Sequence, residues 1–218
     1  MPKLKRDLLS TIPAKSIARL AKSGEKLLTQ EYDETAERYN RILRFPRKDI
    51  NSDEFINLVY DMLIAFKMNS RGAKLSAFAD FKTTIAKQAD IIQSLAKYKL
   101  EKVKATDDTF IATIDSMFDS LRLTQTKSSL VTFSKAMHFL LPDLFMPIDG
   151  RYTLRFFYES KPVNEKACFL QVFEQFRLFA QEHHESLREQ VDSNSHWNRN
   201  IPKVIDNIII AYVSEKME

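Results

Sequence analysis

Glycine occurs three times in 218 residues, at Gly24, Gly72 and Gly150. Tight hairpins draw on glycine for positive φ, so a chain this poor in it is badly equipped to build a β-rich fold. Apolar residues recur instead with a helical period. Phe55, Leu58, Val59, Met62, Leu63 and Phe66 form one stripe, opened by Asn51-Ser52-Asp53-Glu54, which reads like a capping box. Phe110, Ile111, Ile114, Met117, Phe118 and Leu121 form another, after the turn-prone Thr106-Asp107-Asp108. Ile205, Ile208, Ile209, Tyr212 and Val213 form a third, with Pro202 near the first turn. A long helix is predicted over 164–190, with Leu170, Phe173, Phe176, Phe179 and Ala180 inward and Asn164 as its cap. Further helices are expected near 14–29, 31–44 and 75–98. The polar stretch VDSNSHWNRN, 191–200, reads as a loop, and nothing reads as a strand. The expectation is an all-α domain of about nine helices over 1–218, divisible into sub-lobes 1–105 and 106–218 around a central cleft.

The chain is 44% hydrophobic, with sixteen Phe and seven Met, enough for a substantial core. A single cysteine, Cys168, rules out an internal disulfide and a cysteine-held zinc or iron–sulfur site. That usage fits a reducing compartment. No apolar run approaches the ~20 residues of a membrane span, and MPKLKRDLLSTIPAKS lacks a signal-peptide core. A cytoplasmic location without membrane attachment is expected. Net charge is +4 and pI about 9.0, unevenly spread: residues 1–109 hold 21 Lys/Arg against 15 Asp/Glu, and 110–218 hold 12 against 14. Such polarity can draw a polyanion to one face.

The stretch SKAMHFLLPDLFMPIDGRYTLRFF, 134–157, is the most suggestive. Pro142 ends an apolar helix, Pro147 fixes an extended approach, and Asp149 precedes a second helical run. Two readings fit. Asp149 is a helix cap, accepting from exposed first-turn amides that keep it ionised. Alternatively, the same fixed carboxylate faces a cleft and stabilises developing positive charge or orients a water.

The wider block LVTFSKAMHFLLPDLFMPIDGRYTLRFF, 130–157, resembles the helix-hairpin-helix DNA glycosylase superfamily, and is similar to a block in uncharacterised bacterial proteins. Leu130, Lys135 and Ala136 stand where the hairpin pattern has Leu, Lys and a small residue. Pro147 and Asp149 match its Pro-x-Asp, and Arg151 and Arg155 fall in the following helix. Val131-Thr132-Phe133 replaces the pattern's Gly-Val-Gly, and Ser128, beside Lys127, stands where lyase-type members carry a nucleophilic Lys. The resemblance implies a helical fold that binds DNA through hairpin amides and supports base–sugar cleavage through Asp149. Its chemistry would be the water-based, monofunctional kind, without cofactor. On it, Ser134, Lys135, Arg151 and Arg155 contact nucleic acid, and Tyr152 and His138 line the cleft.

Other features carry two readings each. In ERYNRILRFPRKD, Arg38, Arg41 and Arg44 recur at helical spacing, with Arg47 and Lys48 beyond, as phosphate contacts or as a solvated face paired with Glu34 and Glu37. NSRGAK, 69–74, is a plain turn or an anion loop. In QEHHESLREQ the adjacent His183 and His184 diverge by about 100° on a helix, so no metal is expected. His138 reads as a hydrogen-bonded core histidine or a general base. Trp197 stacks on a base or docks its loop. No phosphate loop, nucleophile elbow or dinucleotide fingerprint occurs. The sequence therefore points to a DNA-binding, glycosylase-like protein, or to a non-enzymatic helical module that docks a protein partner or forms a homo-oligomer.

Overall fold

The computed structural model describes residues 3–46, 50–69, 74–104, 107–126, 128–158 and 163–217. Their regular structure is helical: α1 Leu8–Thr11, α2 Ile17–Arg44, α3 Asp53–Ala65, α4 Phe78–Lys87, α5 Ala89–Leu95, α6 Asp108–Ser120, α7 Leu130–Leu140, α8 Thr153–Phe157, α9 Glu165–Glu182, α10 His184–Arg188 and α11 Ile201–Met217. Eleven α-helices thus lie among the described residues, where about nine were expected, and the only extended pairing there is an isolated bridge between Leu75 and Thr124.

The differences in count come from α1, which was not expected, and from breaks that carry no glycine or proline. Gln88 (φ −107°, ψ 6°) separates α4 from α5 inside the predicted 75–98 helix. His183 (φ −113°, ψ 27°) separates α9 from α10 inside the predicted 164–190 helix. Conversely, the predicted 14–29 and 31–44 helices form one element, α2, kinked at Tyr32 (φ −137°, ψ 34°).

The caps follow from side-chain oxygens. Asp107 accepts from the Phe110 amide at 3.0 Å and Asn164 from the Ala167 amide at 2.9 Å. Ser52 accepts from the Phe55 amide at 3.2 Å. Phe55 therefore holds the position where a capping box needs Glu, and Glu54 instead supplies negative charge to the first turn.

Two helices depart from ordinary amphipathicity. Residues 132–140 of α7 and 201–211 of α11 are all buried. Helices enclosed on every side are normally apolar throughout, yet α7 holds Lys135 and His138, and α11 holds Lys203, Asp206 and Asn207. The long helix α2 packs against α11, and Gly24 is what lets them approach. A Cβ there would stand 1.9 Å from the Asn207 carbonyl oxygen. Among the described residues no helix is long and apolar enough to cross a membrane.

Candidate functional site

Asp149 is positioned by its own segment. The Ile148 amide donates to Ser134 Oγ at 2.9 Å, tying the extended Pro147–Asp149 stretch to α7. Asp149 Oδ1 accepts from the amides of Arg151 (2.6 Å) and Tyr152 (3.2 Å), and its own amide donates to Thr153 Oγ1 (3.2 Å). This reciprocal arrangement caps the turn that leads into α8. The carboxylate is not consumed by the cap. Its side chain remains 32% exposed, and Oδ2 lies 3.4 Å from Lys135 Nζ, on a side chain only 9% exposed. Burial pushes the Asp149 carboxyl up. The Lys135 charge and the two amides more than offset that, so the group sits below the ordinary carboxylate range.

Both charges line a small cavity, about 50 Å³, closed by residues far apart in sequence. The kinked helix α2 contributes Tyr32 and Tyr39, and the end of α3 contributes Phe66. Lys135 and His138 come from α7, Asp149 and Tyr152 from the capped turn. Trp197 comes from the 191–200 loop, and Lys203 and Asp206 from α11. The walls are aromatic: Tyr39 stacks on Trp197 with centroids 5.3 Å apart, Tyr32 leans on Phe66 at 5.3 Å, and Lys135 Nζ sits 4.8 Å from the Phe66 centroid. Burial first, then the charges of Glu31 and Asp149, pushes the Tyr32 hydroxyl up to about 12.

A second ionisable pair lies deeper. Lys203 Nζ is 2.5 Å from Asp206 Oδ2, both almost fully buried. Burial dominates here, raising the carboxyl and lowering the ammonium, so each is driven toward its neutral form against the pull of its partner. The outer pair is thus ionic and the inner pair strained by desolvation.

Tyr39 links the cavity to the core. His138 Nδ1 is 2.7 Å from the Phe145 carbonyl oxygen, and Nε2 is 2.8 Å from Tyr39 Oη. A carbonyl can only accept, so Nδ1 carries the proton, and in the neutral ring Nε2 accepts from Tyr39. Tyr39 Oη in turn accepts from Asn200 Nδ2 at 3.1 Å, while Asn200 Oδ1 caps α11 through the Lys203 amide at 2.9 Å. His138 is therefore a hydrogen-bonded core histidine whose edge reaches the cavity wall.

Several expected contacts fall elsewhere. Ser134 is fully buried, its hydroxyl engaged with Ile148 and with the Val131 carbonyl, and Lys135 faces Asp149. Neither stands on a surface open to a phosphate backbone, because α7 is enclosed. Two amides at the start of α7, next to the Val131-Thr132-Phe133 hairpin stretch, are also taken: Glu165, in the first turn of α9, accepts from Ser129 N at 2.7 Å and Leu130 N at 3.0 Å. Arg38, Arg41 and Arg44 are exposed on α2. Arg41 follows the inward-facing Tyr39 by two positions, about 200° around a helix of 3.6 residues per turn, so the stripe points away from the cavity. Arg47 and Lys48 lie outside the described residues, as does most of the 69–74 turn. Arg151 is exposed beside Tyr152, within 3.5 Å of Glu31, and Arg155 is exposed on α8. Tyr152 is half-buried at the cavity. Trp197 docks its loop inward and is 1% exposed. His183 stands at the α9–α10 break, and His184 Nδ1 lies 3.2 Å from Glu185. Cys168 is buried, which pushes its thiol up to about 11 and leaves it unsuited to act as a nucleophile.

Sequence reasoning missed Tyr32, Tyr39, Phe66, Lys203 and Asp206. The one available signal was in IPKVIDNIIIAYV, where a Lys and an Asp three positions apart interrupt a strongly apolar helix. Comparison with protein-family models, curated proteins and solved structures returned no match.

Proposed function

We propose that the protein binds nucleic acid and presents Asp149 to an unstacked nucleotide, in the manner of a monofunctional, cytoplasmic base-excision enzyme. The observation that carries this reading is an ionised carboxylate, one-third exposed, at an aromatic cavity and backed by a buried lysine. Its place at the cavity, and a charge held by Lys135 and two amides, support the role. A carboxyl that holds its charge this firmly is a poor proton acceptor at neutral pH. It is well suited to stabilise positive charge on a sugar as the base departs. Lys135 serves by keeping Asp149 charged and oriented, and Arg151 and Arg155 are the exposed cations nearest to it in sequence. Entry of a whole base requires the Tyr32–Phe66 wall to move, since the cavity is about a third of the ~150 Å³ that accommodates benzene.

The test is fluorescence anisotropy with single-stranded and duplex oligonucleotides across a salt series, followed by an assay of base release. Affinity is expected to fall steeply with salt. Asp149→Asn is expected to preserve binding and abolish release. No binding at low salt overturns the reading. The outcome then favours the second one, a helical interaction module in which the amides of Arg151 and Tyr152 donating to Asp149 Oδ1, and the Asp149 amide donating to Thr153 Oγ1, make Asp149 simply a cap.

A further inference from the structure

Trp197 is the chain's single tryptophan. Its indole lines the cavity, is 1% exposed, and its Nε1–H has no acceptor among the described residues. A buried donor left unpaired is unfavourable and uncommon. The loop has not simply come to rest badly. Glu25 on α2 pins it, accepting from Ser195 Oγ, from the amides of His196 (3.1 Å) and Trp197 (3.3 Å), and from Asn198 Nδ2 (3.0 Å). The ring is also fixed, between Tyr39 and Lys203, whose Nζ lies 5.6 Å from its centroid.

We propose that the cavity is a binding site for the lactam edge of a neutral, planar ligand, whose carbonyl oxygen accepts from Trp197 Nε1. Each part of that class has its reason. Indole N–H donates and cannot accept, so the ligand atom is an acceptor. The walls formed by Tyr39, Phe66 and Trp197 favour a flat group. Asp149 is an acceptor at the same cavity, which suits an N–H next to the carbonyl. An anion would meet Asp149 and a cation would meet Lys135, and these two already pair with each other, so neutrality is preferred. The volume of about 50 Å³ takes the edge of a ring, not the whole ring. A lactam edge belongs both to free small heterocycles and to bases in a nucleic acid chain. The assignment holds for either source and does not depend on the function proposed above.

With one tryptophan, a ¹⁵N–¹H correlation spectrum carries one indole N–H signal, and it reports directly on this donor. The unmodified protein is titrated separately with 2-pyrrolidinone, uracil and single-stranded oligothymidylate. A saturable downfield shift of that signal with uracil is expected, and Trp197→Phe is expected to weaken uracil binding at least tenfold by calorimetry. An indole signal unmoved by all three probes overturns the assignment, whether or not the variant folds. Trp197→Phe binding uracil as tightly as the parent also overturns it. Oligonucleotide binding by anisotropy with an unmoved indole signal overturns the assignment and leaves the nucleic-acid function standing. A shift with uracil and no oligonucleotide binding supports the assignment and removes that function.

Discussion

Asp149 performs two tasks with separate atoms. Oδ1 holds the turn through two amides, while Oδ2 faces Lys135. Asn at this position keeps an acceptor for the amides and loses the charge, so Asp149→Asn isolates the ion pair. At neutral pH the variant is expected to be less stable by about 1–2 kcal/mol, the scale of a charge-assisted hydrogen bond weakened by length and partial exposure. The sign of its pH dependence follows from linkage. The folded carboxyl lies below the ordinary value of 3.8. Its contribution is therefore complete above that value and disappears as pH falls through the folded value. Urea titrations of parent and variant at a series of pH values are expected to converge as pH falls below 3.8. A gap that stays constant into acid would show that the ion pair contributes nothing. The inner pair has the opposite character. Lys203 and Asp206 are both driven toward neutrality by burial, and buried pairs of this kind are often no more stabilising than apolar residues of the same volume. Perturbed ionisable groups gathered around a cavity are the usual mark of a functional site, which is a physical reason to find them on an otherwise apolar helix.

At the scale of elements, the decisive contact is the crossing of α2 and α11. Helix propensity alone makes Gly→Ala favourable by about 1 kcal/mol at an ordinary helix position. At Gly24 the new methyl would meet backbone, the Asn207 carbonyl at 1.9 Å, and neither helix can yield without disturbing the loop that Glu25 holds. Gly24→Ala is expected to reverse the usual sign and destabilise by about 2–3 kcal/mol, as overpacking does. Thermal denaturation followed by circular dichroism measures this, and an unchanged or raised midpoint would show that the helices can separate freely. The same contrast explains what could be read in the sequence. The stripes at 55–66 and 110–121 and the cap Asn164 are local in origin and appear as anticipated, and the turn-prone Thr106-Asp107-Asp108 supplies the further cap Asp107. The breaks at Gln88 and His183 are not announced by proline or glycine, so local chemistry does not reveal them, whereas the kink at Tyr32 falls within two residues of the boundary expected between 14–29 and 31–44. Within the site, Asp149 was legible because proline, carboxylate and helix start are neighbours in the chain. Tyr39, Lys203 and Asp206 were not, because only the packing of α2, α7 and α11 brings them to the cavity.

Across the whole molecule, the chain closes on itself through contacts between distant segments. The Lys5 amide donates to the Phe157 carbonyl at 2.7 Å, the Leu8 amide to Gln175 Oε1 at 2.8 Å, and the Leu100 amide to the Asp143 carbonyl at 2.9 Å. One hydrophobic cluster runs from Leu8 to Val213. The stretches 1–105 and 106–218 therefore each lack the surface that covers their own apolar faces: α2 needs α11, and the enclosed α11 needs α2. Expressed separately, each stretch is expected to show little of the helical circular dichroism and none of the dispersed NMR spectrum of the intact chain. The intact chain is expected to unfold in one step, with Trp197 fluorescence and far-ultraviolet circular dichroism sharing a midpoint. A fragment that unfolds cooperatively by itself would contradict this. The indole would then report a different midpoint from the helices, because its loop is held by Glu25 on one stretch while its chain belongs to the other. Coincident midpoints would mean that the cavity exists only when the entire fold does, since its walls are drawn from Tyr32 near one end of the chain and Asp206 near the other.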